Sequence, residues 1–155
     1  MGYNVMLVDD AAFMRFVLER ILRENRYTVI AEASSGKEAF NHYKVYHPDL
    51  VIMDITMYDS GIDAVKQIIE YDPDAKILMC SAMGQAAVIR EAVANGAKDF
   101  LVKPLEKERV IEAVVKQIGI PPKPGEDTQD EEDDGGTKRS ALETRLRYRL
   151  EKGLD

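Results

Sequence analysis

Five polar side chains stand at the ends of four apolar runs. Leu50-Val51-Ile52-Met53 delivers Asp54, and Asn4-Val5-Met6-Leu7-Val8 delivers Asp9 and Asp10. Lys76-Ile77-Leu78-Met79-Cys80 delivers Ser81, and Asp99-Phe100-Leu101-Val102 delivers Lys103. Short unbroken Val/Ile/Leu runs describe strands buried on both faces, and open parallel sheets hold ligands beyond the carboxyl ends of their strands. One aspartate after a strand reads as a cap for whatever follows. Four strand ends that carry carboxylates, a hydroxyl and an amine read instead as a site. Gathered at one sheet edge, carboxylates roughly 5 Å apart repel by roughly 3 kcal/mol per pair at an effective dielectric of about 20. One lysine cannot offset three such repulsions. A hard divalent cation can, and oxygen ligands with room for water and phosphate oxygens favour Mg2+. Beside the metal and Lys103, Asp54 stays ionised and can attack phosphorus as a carboxylate nucleophile. Catalysis of that kind reduces to positioning and charge stabilisation.

The elements that must position these groups are legible from periodicity. Between Ala12 and Asn25 the apolar positions Met14, Val17, Leu18, Ile21 and Leu22 form the stripe of a helix packed on a sheet. Thr28 to Ala33 reads as another strand. Ser34-Ser35-Gly36 is a turn and cap, and Lys37 to Tyr46 a helix closed before His47-Pro48, because a residue ahead of proline avoids the helical region. Ile62, Val65, Ile68 and Ile69 stripe a third helix that stops at Asp72-Pro73-Asp74. Ala86 to Asn95 gives a fourth, ended by a left-handed turn at Asn95-Gly96, and Val110, Ile111, Val114 and Ile118 mark a fifth. Five alternations of strand and helix predict a doubly wound parallel α/β domain with right-handed crossovers. Cys80, inside an apolar strand, reads as a core residue, and His42 and His47 as surface residues away from the strand ends.

The composition is that of a globular protein, 45% apolar and 32% charged, and the net charge of −7 argues against a binder of nucleic acid or anionic membrane. A single cysteine excludes an internal disulfide, no apolar run approaches the ~20 residues of a membrane span, and the first residues carry no secretion signal. A reducing, cytoplasmic setting is the expectation.

The motifs Val8-Asp9-Asp10, Val51-Ile52-Met53-Asp54-Ile55-Thr56-Met57, Cys80-Ser81-Ala82 and Gly96-Ala97-Lys98-Asp99-Phe100-Leu101-Val102-Lys103-Pro104 together resemble the receiver domains of two-component response regulators. Within that family they resemble single-domain chemotaxis regulators of the CheY type, over about residues 3 to 118. The resemblance implies a five-stranded flavodoxin-like sheet of order 2-1-3-4-5, with Asp54 as phosphoacceptor. It implies Mg2+ held by Asp9, Asp10, Asp54 and the backbone carbonyl of Thr56, Asp10 being the more direct of the first pair. Lys103 and the Ser81 hydroxyl would hold the phosphoryl group beside the small Ala82, Phe100 would be the aromatic switch, and the Lys103–Pro104 bond would be cis. A histidine kinase would donate the phosphoryl group. The face made by the fourth helix, fifth strand and fifth helix would then bind a target, the flagellar motor switch protein. Such a protein catalyses only its own phosphorylation and dephosphorylation. Thr56 and Met83 would flank the line of water attack. A short hydroxyl and a thioether orient water poorly, so slow loss of phosphate and a need for an auxiliary phosphatase follow.

One departure bears on the metal. Receivers usually continue Met-Pro and place a glycine eight residues past the acceptor, whereas here Met57 precedes Tyr58 and Gly61 lies seven residues on. The shortened loop is either a harmless variant or an altered metal site. Two rivals follow: a receiver-fold binding module that is not phosphorylated, and a phosphatase using an aspartyl nucleophile. The latter normally wants an acid where Thr56 stands. Beyond the receiver at 1–118, residues 119–136 read as a Pro-rich, then acidic, disordered linker, with seven acids in the nine positions 126–134. Residues 137–152 read as a short amphipathic helix, opened by the capping box Ser140-Ala141-Leu142-Glu143 and striped by Leu142, Leu146 and Leu150 among arginines. It would dock on this receiver or on a partner, and is too short for a DNA-binding helix-turn-helix unit.

Overall fold

Each apolar run becomes a strand of one parallel sheet in the computed structural model, which describes residues 2–57 and 59–123. The order along the chain is β1 (Asn4–Val8), α1 (Ala12–Glu24), β2 (Thr28–Ala33), α2 (Gly36–Tyr46), β3 (Leu50–Asp54), α3 (Gly61–Tyr71), β4 (Ile77–Ser81), α4 (Ala86–Ala94), β5 (Asp99–Val102) and α5 (Lys107–Ile118). The strands lie side by side as β2-β1-β3-β4-β5, all neighbours parallel. The acidic stretch and the amphipathic segment 137–152 lie outside the described residues.

The two-residue period of a strand divides the core. Met6, Val8, Val51, Met53, Ile77 and Met79 face a layer completed by α2, α3 and α4. Val5, Leu7, Ile52, Leu78, Cys80 and Leu101 face Leu18, Ile21 and Leu22 of α1 and Val110, Ile111 and Val114 of α5. Because β3 and β4 are covered on both sides, every residue in them is buried, which is why they read as continuous apolar runs.

Register then sets the level of the strand ends. Val8 lies opposite Met53, Met53 opposite Met79, and Met79 opposite Phe100. The next residues, Asp9, Asp54 and Cys80, therefore fall in one row, and Ser81 follows opposite Val102. Backbone bonds carry the order past the strands: Asp9 N–H donates to Ala33 O at 3.0 Å and Lys103 N–H to Ser81 O at 2.7 Å. The Lys103–Pro104 bond is cis.

Three details depart from or refine the expectations. His47, ahead of Pro48, is left-handed (φ 46, ψ 59) rather than extended, because it also closes α2 and donates its N–H to Tyr43 O. Gly96 supplies the positive φ (117) that ends α4, and a Cβ there would lie 2.8 Å from Ile69 Cγ1. The packed body also runs past the expected boundary at Ile118: Ile120 is 2% exposed, Pro121 is buried, and the Tyr27 hydroxyl donates to Gly119 O. The apolar character of Ile120 outweighs the prolines that follow it. Among the described residues no helix is long and apolar enough to cross a membrane.

The start of α2 is satisfied by two sources. Ser35 Oγ accepts from Glu38 N–H at 3.1 Å, and Glu38 Oε1 accepts from Ser34 N–H at 2.7 Å, a reciprocal capping box one residue offset. The first two amides, Gly36 and Lys37, donate instead to Asp59 Oδ1 and Oδ2 at 2.7 and 3.0 Å. Asp59 belongs to the loop between β3 and α3, so capping ties that loop to the neighbouring helix. The Gly36 amide, first among several donors, holds the Asp59 carboxyl below its ordinary 3.8. Asp59→Ala is expected to lower the unfolding free energy by about 1 kcal/mol at pH 7, a screened value for a partly exposed group. A depressed native pKa contributes stability that is complete above the ordinary carboxylate range and lost as pH falls through the native value. Denaturant titrations of the two proteins should thus converge on acidification.

Candidate functional site

The carboxyl edge of β1 and β3 brings together Asp9, 2% exposed, and Asp54, 4% exposed, with exposed Asp10 beside them. One carboxylate oxygen from each of the three lies within 4.8 Å of the others. Lys103 reaches in from the end of β5, its Nζ 3.5 Å from Asp54 Oδ2 and 3.7 Å from Asp9 Oδ2. Each buried carboxylate turns its other oxygen to a backbone amide: Asp9 Oδ1 accepts from Ala11 N–H at 2.8 Å and Asp54 Oδ1 from Thr56 N–H at 3.1 Å. Orientation is therefore fixed from both sides.

Burial raises the Asp9 carboxyl above its usual range; the Ala11 amide opposes this, the Asp54 charge adds to it, and Lys103 opposes it. Burial would lower the Lys103 ammonium, but Asp54 and Asp9 outweigh it and hold the pKa above normal. Lys103 is thus a permanent cation. Three carboxylates around one ammonium leave negative charge in excess, and an all-oxygen donor set with one exposed member fits a hard divalent cation.

On β4, Ser81 is fully buried and its Oγ has no hydrogen-bond partner among the described residues. An unpaired buried hydroxyl is uncommon, and at a strand end beside a buried carboxylate it is available to an incoming oxygen. Ala82, next along the chain, presents its N–H at the rim. Phe100 is half-buried against the α3–α4 side of the core. It also lines an apolar groove with Met83, Ile89 and Val102. Met83 itself is 80% exposed. Cys80 is a core residue, its thiol pushed up to about 12 by burial.

The shortened loop is held at several points. Thr56 and Ser60 form an isolated antiparallel bridge, and Asp59 is fixed to α2. Gly61 passes so near β3 that a Cβ would lie 2.9 Å from Asp54 O. Glycine is required there by approach, not by φ. Two residues near the site escaped the sequence reading. Asp59 reads as ordinary loop chemistry, and Gln85 stands one residue ahead of the helix expected from Ala86, where the periodicity marks nothing. A weak signal existed for the second, since glutamine is a poor N-cap residue.

A family model for the response regulator receiver domain matches residues 5–115. The chain belongs to that family. This receiver is 54% identical over 117 residues to the chemotaxis protein CheY of Thermotoga maritima, covering 75% of this chain and 98% of that protein. It is 49% identical over 119 residues to CheY of Bacillus subtilis, covering 76% and 99%. A chain in the crystal structure of the CheX–CheY–BeF3–Mg2+ complex of Borrelia burgdorferi superposes with a TM-score of 0.71 at 35% identity, over 74% of this chain and 87% of that one. The receiver is thus a CheY-type chemotaxis response regulator, a signalling protein in which phosphorylation is the general mechanism.

Because the charge of Asp9 is the more costly for being buried, Asp9→Asn should stabilise this receiver at pH 7 in chelator. The gain expected is about 1 kcal/mol, a fraction of the ~3 kcal/mol pair repulsion because the attraction to Lys103 is lost with it. The Ala11 amide keeps its acceptor in the variant. Urea denaturation with EDTA measures the difference, and a divalent cation should narrow or reverse it.

Proposed function

We propose that Asp54 of this receiver accepts a phosphoryl group from a histidine kinase with Mg2+ bound at Asp9, Asp10, Asp54 and the backbone carbonyl of Thr56. The observation that carries the reading is a buried carboxylate paired with Lys103 at 3.5 Å, beside an unpartnered Ser81 hydroxyl on the next strand end. Asp54 attacks phosphorus through a carboxylate oxygen; the P–N bond of the donor phosphohistidine breaks, and the imidazole leaves and takes up a proton. Lys103 meets the charge on the phosphoryl oxygens, while the Ser81 hydroxyl and Ala82 N–H donate to them once the group is attached. The metal, when bound, neutralises the charge that phosphoryl transfer gathers there. Movement of Ser81 toward the phosphoryl group gives Phe100 room to turn inward, remodelling the face of α4, β5 and α5.

The apolar groove on that face, about 420 Å3, suits a protein target, and the chemotaxis relatives make the flagellar motor switch protein the first candidate. A cytoplasmic location accords with that role. The Borrelia complex, with Mg2+, BeF3 and CheX, supports both the metal and an auxiliary protein partner for this receiver. Two observations count against a receiver that has lost phosphorylation: the bridged Thr56 and the anchored Asp59 hold the short loop in order. A phosphatase that turns over substrate would want a second acid at Thr56 and has none.

Incubation of the full chain with acetyl phosphate and Mg2+ should add one phosphoryl group by intact mass, and none in Asp54→Asn. An unmodified wild type at saturating donor would establish the binding-only alternative. The phosphoryl group should then persist, because Thr56 and Met83 orient water poorly. Met83→Glu is expected to hasten its loss about tenfold, less than full general-base catalysis since the carboxylate only orients water. A phosphate lifetime equal in wild type and variant would count against these two positions as its determinants.

A further inference from the structure

Gln85 opens α4 without capping it. It occupies the N-cap position, yet its side chain accepts no hydrogen bond from its own helix. The carboxamide turns back over the sheet edge instead. Its Oε1 accepts from Ala82 N–H at 2.8 Å, and its Nε2 lies 3.3 Å from Thr56 Oγ1. One side chain therefore bridges the two loops that form the rim of the site, two residues beyond Asp54 on one side and one residue beyond Ser81 on the other. The same residue also lines the apolar groove, beside Ala86 and Ile89.

We propose that the Gln85 carboxamide is a latch on the phosphoryl-binding rim, occupying the Ala82 N–H while Asp54 is unmodified and leaving when a phosphoryl oxygen takes that donor. The inference rests on the reading that Asp54 is the acceptor and that Ser81 and Ala82 hold the phosphoryl group. A single N–H makes one strong hydrogen bond, so Gln85 Oε1 and the incoming oxygen compete for it. The competition is unequal, because a charged acceptor binds an amide more strongly than a neutral carbonyl does. The latch thus yields to a completed phosphoryl group but lowers the fraction of molecules ready to receive one. Its release also removes the tie between the site and the start of α4. Gln85 is in this sense a positioning residue, acting through the Ala82 amide.

The full chain with saturating Mg2+ and beryllofluoride as probe tests this, alongside phosphorylation by acetyl phosphate. Gln85→Ala should bind beryllofluoride and take up the phosphoryl group about two- to tenfold more readily, the range set by the net worth of one neutral hydrogen bond. Its thermal midpoint should fall by no more than the loss of that one hydrogen bond entails, since no helix cap is lost with it. The Ala82 amide should lose protection from hydrogen exchange in the absence of any ligand. Gln85→Glu keeps the acceptor and adds negative charge at the rim, so it should be slower and weaker than wild type in both assays. A purely structural role would weaken both variants together; opposite shifts identify the latch. Gln85→Ala equal to or weaker than a competent wild type overturns the latch alone. A wild type that takes neither probe overturns the phosphorylation reading and the latch with it.

Discussion

Negative charge confined at one edge of a sheet is the constraint on which the rest of the structure depends. Asp9 and Asp54 are nearly buried, face each other across adjacent parallel strands and share one ammonium, Lys103. Such an arrangement persists only if the backbone beneath cannot relax. The scaffold meets that demand with two wholly buried central strands and helices on both faces, and with backbone amides that hold one oxygen of each buried carboxylate. The surplus charge, which would be a defect in a structural domain, suits the edge to the cation and the phosphoryl chemistry proposed for it.

The loops divide the remaining work. On the β3 side, Asp59 and Gly61 keep a shortened connection close to the strand it follows, one by binding the amides of α2 and the other by presenting no side chain to Asp54 O. On the β4 side, Ser81 is buried without a partner, whereas Ala82, Met83 and Gly84 are exposed. The first loop is therefore anchored to a neighbouring helix, while the second is tied chiefly through the Gln85 side chain. Rigidity beside the carboxylates and a single side-chain tie beside the hydroxyl suit the switch proposed above.

The same sheet edge leads to the groove through short steps: Ser81 is followed by Ala82, and Phe100 and Val102 lie on β5 beside β4. The opposite edge of the sheet carries a different cluster, in which the Tyr43 hydroxyl donates to Asp72 Oδ2 at 2.7 Å and His47 stacks on Tyr71. Burial and the Asp72 carboxylate raise the Tyr43 pKa, so this phenol stays a neutral donor at neutral pH. These contacts fasten α2 to the end of α3.

Much of the design was determined by sequence alone. Apolar runs ending in Asp9, Asp10, Asp54, Ser81 and Lys103 fixed the strands and the side of the sheet that carries the site, because a buried parallel strand must be apolar throughout and its ligands lie at its carboxyl end. Helical stripes located the first four helices to within a residue or two and marked the inner face of the fifth, which begins three residues before Val110. What only the tertiary structure decided was the set of contacts between segments far apart in the chain: Asp59 on Gly36 and Lys37, Gln85 between Ala82 and Thr56, and the Tyr27 hydroxyl on Gly119 O beside a buried Ile120, two residues past the end of α5. Periodicity reports which face of an element is buried, an average over many neighbours. It carries no information on which single polar atom meets which other, since that depends on strand register and loop path, and those are settled only when the whole core packs.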